Sequence, residues 1–336
     1  LSLLHPAFMS AAVSTPLGII DAIILGIVEG ITEYLPVSST GHLVLTANLL
    51  GLDNPAEVRR NVDALLIVIQ GGAILAVLGV YRSSVASMIM GLLGRNPRGR
   101  RLLINLFIAF LPAAILGPLL DDWISSRLMR PAPIMLALSL GGIVMILADR
   151  YDRKRRPQDN DRTGCDLSGR AALQIGLLQC LAMWPGTSRS MVTILGGMSA
   201  GLRPARAAEF AFLLGLPTLG GATIYKLTGN LMGEEPNMFQ VLGWMPIVVG
   251  LLAATLSAAL AVKWMVAYLN RHGLEVFGWY RLGLTAVLLA LTLSGAISIS
   301  PSTPAAPSEW DLEQNVQRVN GDAVALPFEP TRNSNG

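Results

Sequence analysis

Two short stretches hold most of the reactive polar side chains of an otherwise apolar chain: EGITEYLPVSSTGH at 29–42 and PGTSRSMVT at 185–193. In the first, Glu29 and Glu33 are four residues apart, so on a helix they share a face and can reach one ligand. Like charges at that spacing repel, and a carboxylate buried in hydrocarbon without a partner is costly. Something positive therefore belongs between them. A divalent cation, Mg2+ or Ca2+, would take carboxylate oxygens; the guanidinium of Arg189 is the other candidate. A water-exposed helix end with two ordinary glutamates is the plain alternative.

After Pro36 come Ser38, Ser39, Thr40, Gly41 and His42. Hydroxyls beside an imidazole can bind anion oxygens or supply a nucleophile activated by a neighbouring base. Ser38 reads equally well as a helix N-cap after the proline break, and His42 as a structural histidine with a satisfied partner. His42 is one of three histidines, with His5 and His272, and only His42 lies in a motif. The second stretch offers Thr187, Ser188, Arg189, Ser190 and Thr193. A guanidinium flanked by apolar sequence is expensive unless bound, and its planar fork of donors suits phosphate oxygens. Backbone N–H groups at the start of the following helix would add a second anion-binding element; the alternative is that Arg189 snorkels to an interface. Carboxylates suited to a metal and an arginine suited to phosphate together imply phosphoryl transfer on a lipid-borne substrate. An amphiphile could place its anionic head among these groups and leave its tail among apolar helices.

The elements that must position these residues are membrane helices. The chain has 336 residues, 52% hydrophobic and 14% charged, whereas soluble domains are about a quarter charged. Apolar runs at 64–80, 102–120, 131–148, 207–225, 241–261 and 282–299 each approach the roughly 20 residues a helix needs to cross a bilayer. The net charge of +3 is too small to point to nucleic acid. Cys165 and Cys180 have no metal or disulfide spacing. Residues 1–16 lack a basic leader region, and the tail 300–336, rich in proline, serine and acidic residues, reads as disordered.

Two apolar segments remain, 17–50 and 171–202, each interrupted by polar residues and a proline. Basic loops at 94–101 and 149–170 place those loops in the cytoplasm, with the intervening hairpin turning outside at DDWISSRLMR. The segment 171–202 begins after Arg170 and ends at Arg203 and Arg206, so it enters and leaves on one face as a re-entrant hairpin. GIVEGITEYLPVSS at 26–39 aligns with GLLQCLAMWPGTS at 176–188 with one gap, setting Gln179 opposite Glu29 and Pro185 opposite Pro36; ALLIVIQGGAIL at 64–75 echoes AFLLGLPTLGGA at 211–222. The expected architecture is an all-α integral membrane protein with six transmembrane helices and two re-entrant hairpins. Its membrane domain, 17–299, contains repeats at roughly 17–120 and 171–299, with the span 131–148 and the loop 149–170 between them. Three spans per half make the repeats inverted, with the hairpin tips meeting near the midplane and both termini outside. Arg59 and Arg60, ahead of the first span, would then be external, against the charge rule. Small residues such as Gly26 and Gly30 would pack helices within the chain or in a homodimer.

The two motifs resemble the signatures of the bacterial undecaprenyl-diphosphate phosphatases, also called bacitracin-resistance proteins. The resemblance covers 17–299, apart from the loop at 152–168. It implies hydrolysis of undecaprenyl diphosphate to undecaprenyl phosphate and inorganic phosphate in the bacterial plasma (inner) membrane, recycling the carrier lipid for peptidoglycan. It also implies a divalent cation, inverted repeats and a site reached from the periplasmic face. By position, Glu29 and Glu33 match the family's acidic pair, Ser39 the proposed nucleophile or phosphate ligand, His42 the motif histidine and Arg189 the phosphate-binding arginine. The choice between Ser39, His42 and activated water as attacking group stays open. A type 2 phosphatidic acid phosphatase is excluded, because that class needs a histidine downstream of the arginine and none lies between Arg189 and Leu227. The rival of another class is a transporter or lipid flippase, since broken helices and midplane sites are common there too.

Overall fold

The structure, a computed structural model, describes residues 17–52, 56–155, 162–232 and 238–295, with backbone alone at 56–61, 122, 153–155 and 241. The N-terminal segment 1–16, the centre of the basic loop at 156–161, the end of the last expected span and the tail 300–336 lie outside the described residues. The described chain is helical: α1 (Ile19–Tyr34), α2 (Ser39–Leu49), α3 (Ala56–Val80), α4 (Arg82–Leu92), α5 (Pro97–Leu128) and α6 (Pro131–Arg155) are followed by α7 (Gly169–Gln179), α8 (Arg189–Ser199), α9 (Pro204–Met232), α10 (Met238–Leu242), α11 (Trp244–Leu269) and α12 (Glu275–Leu293). Single 3-10 turns occupy Gly164–Asp166 and Cys180–Met183.

Six of these helices, α3, α5, α6, α9, α11 and α12, are long and apolar enough to cross a membrane, one for each expected span. The protein is therefore an all-α, multi-pass membrane protein. Several bounds differ from the expected ones. The turn after α5 lies within DDWISSRLMR but only at its end: the helix continues to Leu128, and the chain turns at Met129–Arg130. Residues 82–92, without a span of their own, form α4. Arg59 and Arg60 fall inside α3 rather than in a loop, and α12 starts at Glu275 instead of 282.

Small residues set the close packing. A Cβ at Gly26 would lie 2.6 Å from the Gly250 carbonyl oxygen of α11, and one at Gly30 would strike Ser257 of the same helix, so this pair joins α1 to α11 within the chain. Gly176 plays the same part between α7 and the Ala109 carbonyl of α5. Gly142 of α6 and Gly278 of α12 face each other's carbonyls at 2.8 and 2.7 Å from their would-be Cβ positions.

The two short hairpins repeat one backbone plan. α1 ends where Leu35, extended at φ −75° and ψ 144°, precedes Pro36; α7 and its 3-10 turn end where Trp184, φ −71° and ψ 114°, precedes Pro185. Proline disfavours the helical region for the residue before it, which accounts for both stops. Each chain then passes through a serine with positive φ, Ser38 at 74° and Ser188 at 73°, and enters an 11-residue helix. The bounds of α2 and α8 are 150 residues apart at both ends (189 − 39 and 199 − 49). In that gap-free register Leu35 lies opposite Pro185 and Pro36 opposite Gly186, so the prolines are not equivalent; Gln179 remains opposite Glu29.

Candidate active site

The turns between α1 and α2 and between α7 and α8 meet side by side. Glu33, in the last turn of α1 and buried, accepts from both sides: Ser39 Oγ donates to its Oε2 at 2.9 Å, and Arg189 Nη2 donates to its Oε1 at 3.1 Å. Side-chain exposures of 9% and 10% make this a charge pair shielded from solvent, where breaking one partner is strongly destabilising. Arg189 also donates from Nη1 to the Ala211 carbonyl of α9 at 2.9 Å, and its Cζ lies 5.6 Å from the Tyr34 ring centre. Tyr34 is itself fixed by donation to the Ala73 carbonyl at 2.8 Å. Snorkelling is thus excluded for Arg189, whose fork is held by the protein interior.

Two polar atoms at this cluster are buried without a hydrogen-bond partner among the described residues: Glu29 Oε2 and Arg189 Nε. Glu29, one turn before Glu33, is buried and within electrostatic range of Glu33, Arg189 and Lys226 of α9. An acceptor and a donor left open at one cluster suit a ligand that carries both a positive and an anionic group. Gln179, in the matching place on α7, also has both amide atoms unpartnered. The donor type at Glu29 and Glu33, carboxylate oxygen, suits a divalent cation such as Mg2+; Glu29 Oε2 is the open position, while both Glu33 oxygens are bonded to Ser39 and Arg189. No group of three or more His, Cys, Asp or Glu residues able to hold a metal occurs among the described residues.

The hydroxyls divide. Ser39 points at Glu33, and Thr40 is half-buried beside it. Ser38 occupies the N-cap position of α2 but makes no side-chain capping bond, whereas Ser188 caps α8 by accepting the Met191 N–H at 3.3 Å. Ser190 donates to the Leu35 carbonyl at 2.9 Å and pairs with Ser188 Oγ at 3.0 Å, which ties the second turn to the first. Thr193, fully buried, donates to the Arg189 carbonyl at 2.7 Å. The Thr187 carbonyl, rather than its side chain, makes the notable contact there, described next.

The imidazole of His42 is engaged by groups other than Ser39. Its Nδ1 lies 2.8 Å from the Ser38 carbonyl and its Nε2 lies 2.7 Å from the Tyr280 hydroxyl of α12. The adjacent Arg281 is 0% exposed and its guanidinium donates only to carbonyls: Leu138 at 3.1 Å and Ala137 at 3.0 Å in α6, Gly186 at 2.8 Å and Thr187 at 3.0 Å in the second turn, and Pro36 at 3.4 Å in the first. Gly141 of α6 makes room for it, since a Cβ there would fall on the guanidinium. Sequence reading missed both Tyr280 and Arg281 because an apolar window begins only after the charge; an arginine one residue outside an expected span was the available signal.

A non-glycine residue at positive φ costs on the order of 1–3 kcal/mol and persists only where its surroundings impose it. Here two such residues flank one cluster. Fold and cluster together define a class: a multi-pass helical membrane protein whose carboxylate, hydroxyl and guanidinium meet at two broken helices. The family model described as "Bacitracin resistance protein BacA" matches residues 22–287, and the chain belongs to that family. It is 43% identical over 273 residues to a protein of Sorangium cellulosum called undecaprenyl-diphosphatase, covering 81% of this chain and 85% of that one. Identity is 42% over 282 residues to undecaprenyl-diphosphatase 2 of Rhodospirillum rubrum, covering 84% and 98%. For the undecaprenyl-diphosphatase of Nitrosomonas europaea it is 41% over 286 residues, covering 84% and 97%.

Proposed function

We propose that the protein hydrolyses undecaprenyl diphosphate to undecaprenyl phosphate and inorganic phosphate, returning the lipid carrier to cell-envelope synthesis and so conferring bacitracin resistance. The observation that carries this reading is Glu33 bridging Ser39 and Arg189, which joins a base, a hydroxyl nucleophile and a phosphate-binding cation. The names and identities of the relatives point the same way.

In the mechanism favoured by this arrangement, Glu33 takes the Ser39 proton as Oγ attacks the terminal phosphorus. The bond from that phosphorus to the bridging oxygen breaks, and undecaprenyl phosphate leaves with the proton returned by Glu33. Water then attacks the seryl phosphate, again losing its proton to Glu33, and inorganic phosphate departs with Ser39 restored. Arg189, with Nε unpartnered, neutralises the phosphoryl oxygens while the Ala211 carbonyl fixes its plane. His42, with both ring nitrogens engaged elsewhere, is not the base for Ser39. A divalent cation, Mg2+ or Ca2+, held by Glu29 and Glu33, would neutralise further charge on the diphosphate. Ser38, Thr40, Thr187 and Ser188 line the same turns and supply further contacts to the anion.

In the proposed topology the two hairpins are re-entrant and the halves inverted, with the site open to the outer face of the plasma membrane. The decisive assay is phosphate release from a C55 polyprenyl diphosphate by purified protein in detergent, with and without chelator, for wild type and Arg189→Ala. Metal-dependent release, lost by on the order of a thousandfold or more in the folded variant, is expected. Lipid binding without release by folded wild type would favour a transporter.

A further inference from the structure

We infer that Tyr280 is a positioning residue for this hydrolysis, acting through His42 to hold the turn at Ser38 that aims Ser39 at Glu33. The inference rests on the reading of Ser39, Glu33 and Arg189 as the phosphate site. It starts from hydrogen-bond polarity. The Ser38 carbonyl can only accept, so the His42 nitrogen 2.8 Å from it, Nδ1, carries a hydrogen. In the neutral ring Nε2 is then an acceptor, and the group 2.7 Å away, the Tyr280 hydroxyl, donates to it. One directed chain runs from Tyr280 O–H through the imidazole to the Ser38 main chain.

That carbonyl belongs to the residue at φ 74°, immediately before Ser39. Rotation there would swing Ser39 Oγ off Glu33, to which it donates at 2.9 Å. The equivalent residue of the other turn needs no such strut: the Ser188 carbonyl accepts the Val192 backbone N–H at 3.2 Å, and its side chain caps the helix. Arg281, next to Tyr280, holds the Pro36 carbonyl two residues before Ser38. Consecutive residues of α12 thus grip the first turn on both sides of Val37, one directly and one through an imidazole. Tyr280 is 49% exposed, so exchanging it for phenylalanine removes a hydroxyl without opening the core.

The test is steady-state phosphate release from a C55 polyprenyl diphosphate by the full chain in detergent, for Tyr280→Phe, His42→Ala, His42→Asn and the double variant His42→Asn with Tyr280→Phe. Loss of one hydrogen bond from the chain should lower kcat roughly 3- to 10-fold in Tyr280→Phe with little change in KM. His42→Asn keeps an N–H near the Nδ1 position, so it should retain far more activity than His42→Ala, and adding Tyr280→Phe to it should cost nothing further. Tyr280→Phe at the wild-type rate, or His42→Asn as inactive as His42→Ala, overturns the proposal: in either case the imidazole does not work as a strut. Ser39→Ala distinguishes the underlying reading, because wild-type turnover in that variant overturns the site assignment itself.

Discussion

The hairpins α1–α2 and α7–α8 share a backbone and differ in nearly every reactive side chain. In the 150-residue register Glu29 faces Gln179, Glu33 faces Met183, Ser39 faces Arg189 and His42 faces Val192. The common part is the device that breaks the helix: a proline stop, a serine at positive φ, and an 11-residue helix restarting behind it. The distinct part is charge. The first hairpin carries the carboxylates and the Ser39 hydroxyl, the second the guanidinium, and neither holds the cluster alone. Arg281 belongs to both, since it donates to the equivalent carbonyls of Pro36 and Gly186. The plan therefore separates scaffold from chemistry, with the scaffold duplicated and the chemistry divided.

Breaking the division should have the largest effect. Glu33→Gln keeps the shape but removes the negative charge that serves both turns, so kcat should fall roughly 100- to 10,000-fold in the phosphate-release assay, while Glu29→Gln mainly weakens metal dependence. Next comes the shared scaffold. Arg281→Met leaves the buried turn carbonyls of Pro36, Gly186 and Thr187 without their side-chain donor, each costing about 1–3 kcal/mol; thermal unfolding in detergent should show a Tm lower by on the order of 10 °C. A smaller and symmetric effect is expected from Gly26→Ala and Gly176→Ala, each of which presses a methyl against a neighbouring helix backbone. Both should destabilise by about 1–3 kcal/mol, and equal losses measured by thermal shift would confirm that the equivalence lies in packing. The smallest effect is the sharpest. Glycine adopts positive φ freely, so Ser38→Gly should gain about 0.5–1 kcal/mol in thermal stability. Ser188→Gly should gain nothing, because it also loses its cap on Met191.

The sequence made the six spans and both broken segments legible, because hydropathy and proline breaks are local signals. It also pointed to Glu33, Ser39 and Arg189 as partners, which meet in one cluster, since charged and hydroxyl side chains in apolar sequence need partners. What it hid depends on distance in space. The orientation of His42 is set by Tyr280, 238 residues away, and no spacing rule reports that. Arg281 falls outside the apolar run at 282–299 because a window on hydropathy rejects a charge, even one whose five donors are all satisfied by carbonyls. The turn within DDWISSRLMR is shorter than that stretch, because a polar helix end beyond an apolar run is indistinguishable from a loop by composition. Aligning prolines forced a gap, whereas positive φ at the two serines marks the true register.

The pairing of Glu33 with a residue 156 positions further on also has a consequence for how the chain is made. At roughly 5–20 residues per second, about 8 to 30 s separate synthesis of the carboxylate from that of its guanidinium partner. For that interval the first hairpin has no counter-charge of its own, and a lone carboxylate resists entry into hydrocarbon. The first hairpin is then expected to reach its final depth only after α8 has been made, an order that accessibility labelling of chains stalled before and after Arg189 would check.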